Sequence, residues 1–174
     1  MRVLAAALAL LVLAAAGLVL GGLLANRVPL LDPPGLATRL RVYLTTHVAV
    51  TSQSPTLPEL TTPEYAVPVE DLLAAVEAAL ASLGWEWRRA PDSGDYQAVV
   101  TTPVWRFRDD VSARVTDAGP GRSRLDVRSA SRVGRGDLGA NARHVIDLSA
   151  EVRRWLMTGA DSSAMGHGAA SGRE

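Results

Sequence analysis

The sequence predicts an α+β fold of two layers, an antiparallel sheet carrying two helices on one face, preceded by a transmembrane helix. Three observations predict it. Residues 3–25 are an unbroken apolar run. Val69, Leu72, Leu73, Val76, Leu80 and Leu83 recur at helical spacing, and so do Leu138, Ala142, Val145, Ser149, Val152 and Leu156. Between these two stripes lie four alternating segments bounded by turn residues. The expected element order is β-α-β(4)-α.

The apolar run follows Arg2 and, as a helix, would span roughly 34 Å, the thickness of a bilayer core. A signal peptide has a shorter apolar region, about 7 to 15 residues, and a small-residue cleavage pattern. Here the run ends Leu23-Leu24-Ala25-Asn26-Arg27, so residues 1–27 are expected to be a membrane anchor, with a cleaved signal segment as the alternative. Arg2 and the terminal amine compete with Arg27, Arg39 and Arg41 for the cytoplasmic side. The expectation is a single-pass protein of the cell membrane with its C-terminal domain extracytoplasmic.

Residues 28–63 read as a linker. Seven of the ten prolines fall between Pro29 and Pro68. Leu40 to Val50 interrupts them, with Val42, Leu44, Thr46, Val48 and Val50 alternating as a short strand would. The Ser54-Pro55, Leu57-Pro58 and Thr62-Pro63 steps disfavour helix and hold the chain extended.

The folded domain is expected over 64–158. Glu64 to Val67 is a strand candidate. The helix after it begins beside Pro68, places Glu70 and Asp71 at its positive end, and stops at Gly84. Trp85–Arg88 and Tyr96–Val100 form one hairpin around Pro91–Gly94, closed by Pro103. Phe107–Thr116 and Arg122–Val133 form a second hairpin. Only one register puts both apolar sets of this hairpin on one face: Val115 opposite Leu125, Ala113 opposite Val127, Val111 opposite Ser129, Asp109 opposite Ser131 and Phe107 opposite Val133. The last helix is expected from Asp137 as N-cap to a stop at Gly159. Residues 159–174 are small, polar and glycine-rich, and read as a disordered tail. Trp85, Trp87, Trp105 and Trp155 are expected to pack on the core or the sheet face.

Composition narrows function further. Eighteen basic residues, all arginine, balance eighteen acidic ones, so no global field favours nucleic acid. The absence of cysteine removes disulfides, thiolate metal sites and a cysteine nucleophile. His47, His144 and His167 are scattered and Asp109 and Asp110 face opposite sides of a strand, so no metal ligand set and no cofactor is expected.

One polar cluster stands out. The register turns Asp109, Ser129 and Ser131 to the core side, and helical phase brings Asn141 near the buried stripe. A network is expected in which Ser129, Ser131, Asn141 and free N–H groups of the last helix donate to Asp109. On the opposite face Asp110 meets Ala130 with Arg128 and Arg132 on the diagonals, and Arg114 meets Asp126. Arg128, Arg132 and Arg135 form a candidate anion-binding set beside a helix N-terminus. A hydrolase drawn from Ser129 or Ser131, His144 and Asp109 lacks a nucleophile elbow. His144 is instead expected at the helix boundary beside Asp147. No catalytic residue is assigned.

Phe107-Arg108-Asp109-Asp110-Val111, followed by Asp126-Val127-Arg128-Ser129-Ala130-Ser131-Arg132-Val133-Gly134-Arg135-Gly136-Asp137-Leu138-Gly139-Ala140-Asn141, closely resembles the family called domain of unknown function 1499. The resemblance covers roughly Tyr65 to Leu156. It implies a bacterial protein, membrane-anchored or exported, and no established activity. Many members carry a Cys-Pro and an Asn-Cys-Val-Ser-Ser segment upstream, where this chain has Thr51-Ser52-Gln53-Ser54-Pro55. The element order also looks like a TATA-binding-protein-like or helix-grip arrangement, which implies nothing about DNA. The expected function is a non-catalytic envelope module for binding or scaffolding, its partners the membrane and an envelope protein or an anionic ligand. The alternative is a domain for a small ligand or lipid headgroup. An enclosed apolar cavity of about 300 Å³ or more would favour the second.

Overall fold

The computed structural model describes residues 1–102 and 106–168, with side chains through Gly159. Pro103, Trp105 and the last six residues of the tail lie outside the described residues. Among the described residues four helices, six strands and one 3-10 turn follow in the order α1 (Arg2–Ala25), α2 (Leu36–Thr45), β1 (Val48–Val50), the turn Pro58–Leu60, β2 (Glu64–Tyr65), α3 (Val69–Ser82), β3 (Glu86–Arg89), β4 (Tyr96–Thr101), β5 (Arg108–Gly119), β6 (Arg122–Ser131) and α4 (Ala140–Gly168). The fold is α+β. Its open antiparallel sheet has the order β1-β6-β5-β4-β3, with β2 also pairing β6.

The long hairpin forms because alternation along β5 and β6 makes one face apolar. Val115 stands opposite Leu125, Ala113 opposite Val127, Val111 opposite Ser129 and Asp109 opposite Ser131, the register that polarity alone selects. Leu72, Val76 and Leu80 of α3 and Val145, Leu148 and Val152 of α4 are at most 1% exposed, in one core cluster with Leu125 and Val127. Each such aliphatic side chain contributes about 1.5–3 kcal/mol on leaving water. α3 ends as expected, Gly84 taking φ +66 just past its C-cap. The hairpin is shorter than predicted. Phe107 and Val133 lie beyond the ladder and are 49% and 68% exposed, because the positive-φ residues Arg106 and Gly134 turn the chain aside.

The largest correction concerns the expected linker. Leu40–Val50 is not a strand: the chain is helical to Thr45 and extended only from Val48 to Val50. The valine alternation loses to Leu36, Leu40 and Tyr43, which share a helical face, and Tyr43 is 1% exposed. Nor does 28–63 hold the domain away. Leu57 and Leu60 are buried, β1 and β2 both pair β6, and Thr51 exchanges hydrogen bonds with Val127, its N–H to the carbonyl and its Oγ1 accepting from the amide, each 2.9 Å. Outside α2 and the Pro58–Leu60 turn the prolines disfavour further helix, and this wrapping segment covers what would be an open edge of β6.

At the C-terminus the helix does not stop at Gly159 but continues to Gly168. A helical glycine costs only about 1 kcal/mol, and Gly159 does not take the left-handed conformation that ends α3.

α1 is long and apolar enough to cross a membrane, and most of its length is exposed. Its last turn differs. Leu23 is 4% exposed and belongs to the core cluster, a Cβ on Gly22 would run into the Leu138 side chain, and the Asn26 amide donates to the Leu138 carbonyl at 2.9 Å.

Candidate functional site

The β6–α4 connection, residues 132–139, is pinned from several sides. Asp137 accepts from the Gly139 amide (2.8 Å) and the Asn141 amide (3.2 Å), while Leu138 and Gly139 take φ of +53 and +82. Asp137 therefore caps α4 through a turn, and the helix begins at Ala140 rather than just after the acid. Gly136 sits against the Leu44 carbonyl, where a Cβ would collide with backbone, so this loop and the end of α2 lock together.

Of the predicted cluster, Asp109, Ser129 and Asn141 are fully buried and Ser131 is half-buried. Asn141 is the hub. Ser129 Oγ donates to its Oδ1 at 2.5 Å, and its Nδ2 approaches Asp137 Oδ2 at 2.6 Å, Ser131 Oγ at 2.8 Å and the His47 carbonyl at 3.0 Å. Two N–H bonds thus serve three acceptors. The expectation that these donors gather on Asp109 is not met for Ser129, Asn141 or the helix N–H groups, and Ser131 alone acts on it: among the described residues neither Asp109 oxygen has a hydrogen-bond partner of ordinary geometry. Burial raises its pKa above the usual carboxylate range, the nearby charge of Asp110 adds to this, and the Ser131 hydroxyl opposes it.

His144 was missed as a cluster member. It is buried, its Nδ1 lies 3.2 Å from Ser129 Oγ and 3.7 Å from Asp109 Oδ2, and its ring meets Trp85 edge-on. The surface pair with Asp147 does not form, because Arg143 takes that carboxylate. Burial lowers the His144 pKa to about 4, with Asp147 and Asp137 opposing, so its approach to Asp109 is not a salt bridge at neutral pH. Since the Ser129 proton is committed to Asn141, His144 Nδ1 is assigned as the donor towards Ser129. Serine and acid converge on one ring nitrogen, and that nitrogen carries a proton. This arrangement does not activate a hydroxyl. The sequence held a signal for His144: Asn141, His144, Val145, Leu148 and Val152 are spaced by three and four, a face rotated from the one the apolar residues alone suggest.

The three candidate arginines do not form one site. Arg132 is held by Asp110 through contacts of 2.6 to 3.1 Å. This pair draws the Asp110 pKa down. Arg128 is exposed on the uncovered sheet face and has no ion-pair partner among the described residues. It lines, with Arg132, Asp110, Glu86 and Arg88, an open groove of about 620 Å³. Arg135 lies in the β6–α4 loop and does not line that groove. Arg114 pairs Asp95 at 2.6 Å rather than Asp126.

The concave side of the sheet is filled by α3 and α4. Space opens instead where α1 meets the domain, in a pocket of about 260 Å³ with walls from Leu18, Val19, Phe107, Val133 and Leu138 and a polar floor of Asp109, Ser131 and Asp137. It falls short of an enclosed 300 Å³ cavity, but Asp109, the acid without a partner, lines it. Among the described residues no group of three or more histidines or acids is arranged to hold a metal ion.

A search of curated proteins returns no match. The family described as "Protein of unknown function (DUF1499)" matches residues 39–152, a span that begins in α2, well before Tyr65, and so includes most of the segment expected to be a linker. With more than half its length matched, the chain belongs to the DUF1499 family.

Proposed function

We propose that the chain is a non-catalytic binding module of the cell envelope, held at the bilayer surface by an uncleaved α1 with its domain outside the cytoplasm. The supporting observation is that the last turn of α1 is part of the domain. Leu23 lies in the core and Gly22 packs against Leu138. Cleavage near Ala25 would remove both contacts and expose the Leu138 loop. An anchor joined this way fixes the height and orientation of the domain, which a flexible tether would not. Its partners would be an envelope protein or an anionic ligand at the uncovered sheet face, where Arg128 is unpaired. The test is mass spectrometry of the carbonate-washed membrane fraction combined with protease treatment of intact spheroplasts. An intact N-terminus and digestion of the domain from outside are expected. A new N-terminus between Ala14 and Val28, or full protection, overturns the reading.

A second reading, binding of a small ligand or lipid, is favoured by the pocket at the α1 junction, whose apolar walls and polar floor suit an amphiphile.

A further inference from the structure

Resting on the reading that α1 is a retained anchor, we propose that the junction pocket binds a single-chain amphiphile with a protonated amine head. Its ammonium would be held by Asp109 and its chain would lie along α1.

The chemistry of the floor selects the head. Asp109 is 0% exposed and, among the described residues, neither of its oxygens has a hydrogen-bond partner of ordinary geometry. A buried carboxylate left without donors is costly, and such groups are normally paired. Its neighbours supply no cation: among the described residues neither Asp109 nor Asp137 forms an ion pair with an arginine, whereas Asp110, next in sequence, has Arg132. The nearest base, His144, is kept neutral by burial. A floor with two acids and no positive charge repels an anionic head and lacks what an ammonium brings. An ammonium carries three donors; Asp109 offers two acceptor oxygens and Ser131 a further lone pair.

The walls select the body. Val19, Phe107, Val133 and Leu138 are apolar, and Phe107 and Val133 are exposed beside the membrane helix. The pocket runs beside Leu18 to Ala25, roughly 10 Å of helix, at the end of the span where it leaves the hydrocarbon. Its 260 Å³ is about nine times the ~30 Å³ that a water molecule occupies in the liquid. That admits one head and the first part of one chain, the rest remaining in the bilayer.

The test uses the full-length chain in phosphatidylcholine nanodiscs, titrated with dodecylamine, dodecanol or dodecanoate, bound probe being counted by native mass spectrometry. One dodecylamine per chain is expected. Asp109→Asn, which keeps the side-chain shape, should weaken it by at least about tenfold, and Ala25→Phe, which fills the pocket from an exposed helix position, should abolish it. Asp110→Asn, on the other face, should bind like the parent. Equal binding by parent and Asp109→Asn overturns the site, and dodecanol or dodecanoate bound as tightly as the amine overturns the assigned head. A chain that survives carbonate washing yet binds no amine removes the site and leaves the anchor standing. A chain released by carbonate removes both.

Discussion

Two polar clusters are buried in this domain, and they are built on opposite principles. In the first, Arg39, 1% exposed, spends every N–H it has. Its Nε donates to the Asp32 carbonyl at 2.9 Å, Nη1 to Tyr43 Oη at 3.0 Å and Glu59 Oε1 at 2.5 Å, and Nη2 to the Pro33 carbonyl at 2.6 Å and Glu59 Oε2 at 2.9 Å. Charge meets charge, bidentate and fully hydrogen-bonded. In the second, around Asn141, Ser129, Ser131 and Asp137 each have a hydrogen-bond partner of ordinary geometry and Asp109, among the described residues, has none. The first cluster staples the wrapping segment to the body. The second keeps one acid unanswered at the wall of a pocket, which is costly for a fold and useful for a binding site.

The contrast can be broken or sharpened by mutation. Its largest effect should come from Arg39→Ala, which leaves the partly buried Glu59 without its counter-charge and frees two carbonyls; the loss should be about 3–5 kcal/mol, read by urea unfolding of the full chain in detergent. If Arg39→Ala melts like the parent, the staple is not holding the segment.

Next comes acid. The unfolded chain protonates His144 as pH falls through 6.5, and the folded chain only near 4. The unfolded state binds the extra proton across that window, so stability present above pH 6.5 should decline by roughly 3 kcal/mol towards pH 4. Asp109 runs the other way: its raised pKa lets the folded state take up a proton first, relieving its cost as pH falls. Melting curves from pH 7.5 to 4 should thus be flatter in His144→Gln and steeper in Asp109→Asn.

Asn141→Ala should cost about 1–3 kcal/mol, because Ser129, Ser131 and Asp137 each lose a buried partner. Asp109→Asn should do the reverse at neutral pH, raising the melting temperature by about 4 °C as an unpaired charge is replaced by a neutral amide. A fall in melting temperature for that variant would mean the acid supports the fold and would erase the distinction between the clusters. The smallest effect belongs to Asp110→Asn. The Asp110–Arg132 pair is exposed, so less than about 1 kcal/mol should be lost, visible as a shift of a degree or two in the same melts.

What the sequence determined by itself was local and periodic. A run of 23 apolar residues, Val3–Ala25, forms a helix long and apolar enough to cross a bilayer. The spacing in Val69–Leu83 fixed α3 and its buried face. Alternation along β5 and β6 allowed one register, which carried Asp109, Ser129 and Ser131 to the buried side. Tertiary structure decided the rest, because it depends on partners distant in the chain. Prolines and valines in 28–63 have the composition of a linker. They become part of the body only because the edge of β6 needs covering and Arg39 finds Glu59 twenty residues on. The arginines of the β6–α4 region look like one set until Arg132, just past the end of β6, pairs Asp110 and Arg135, further along the same connection, lies off the groove that Arg128 and Arg132 line. That Asn141, rather than Asp109, gathers the hydroxyls followed from where α4 lies against β6, since one side chain's position over another sets which acceptor a proton reaches. The pocket beside Asp109 exists only because the last turn of the apolar N-terminal helix packs against a loop more than a hundred residues away.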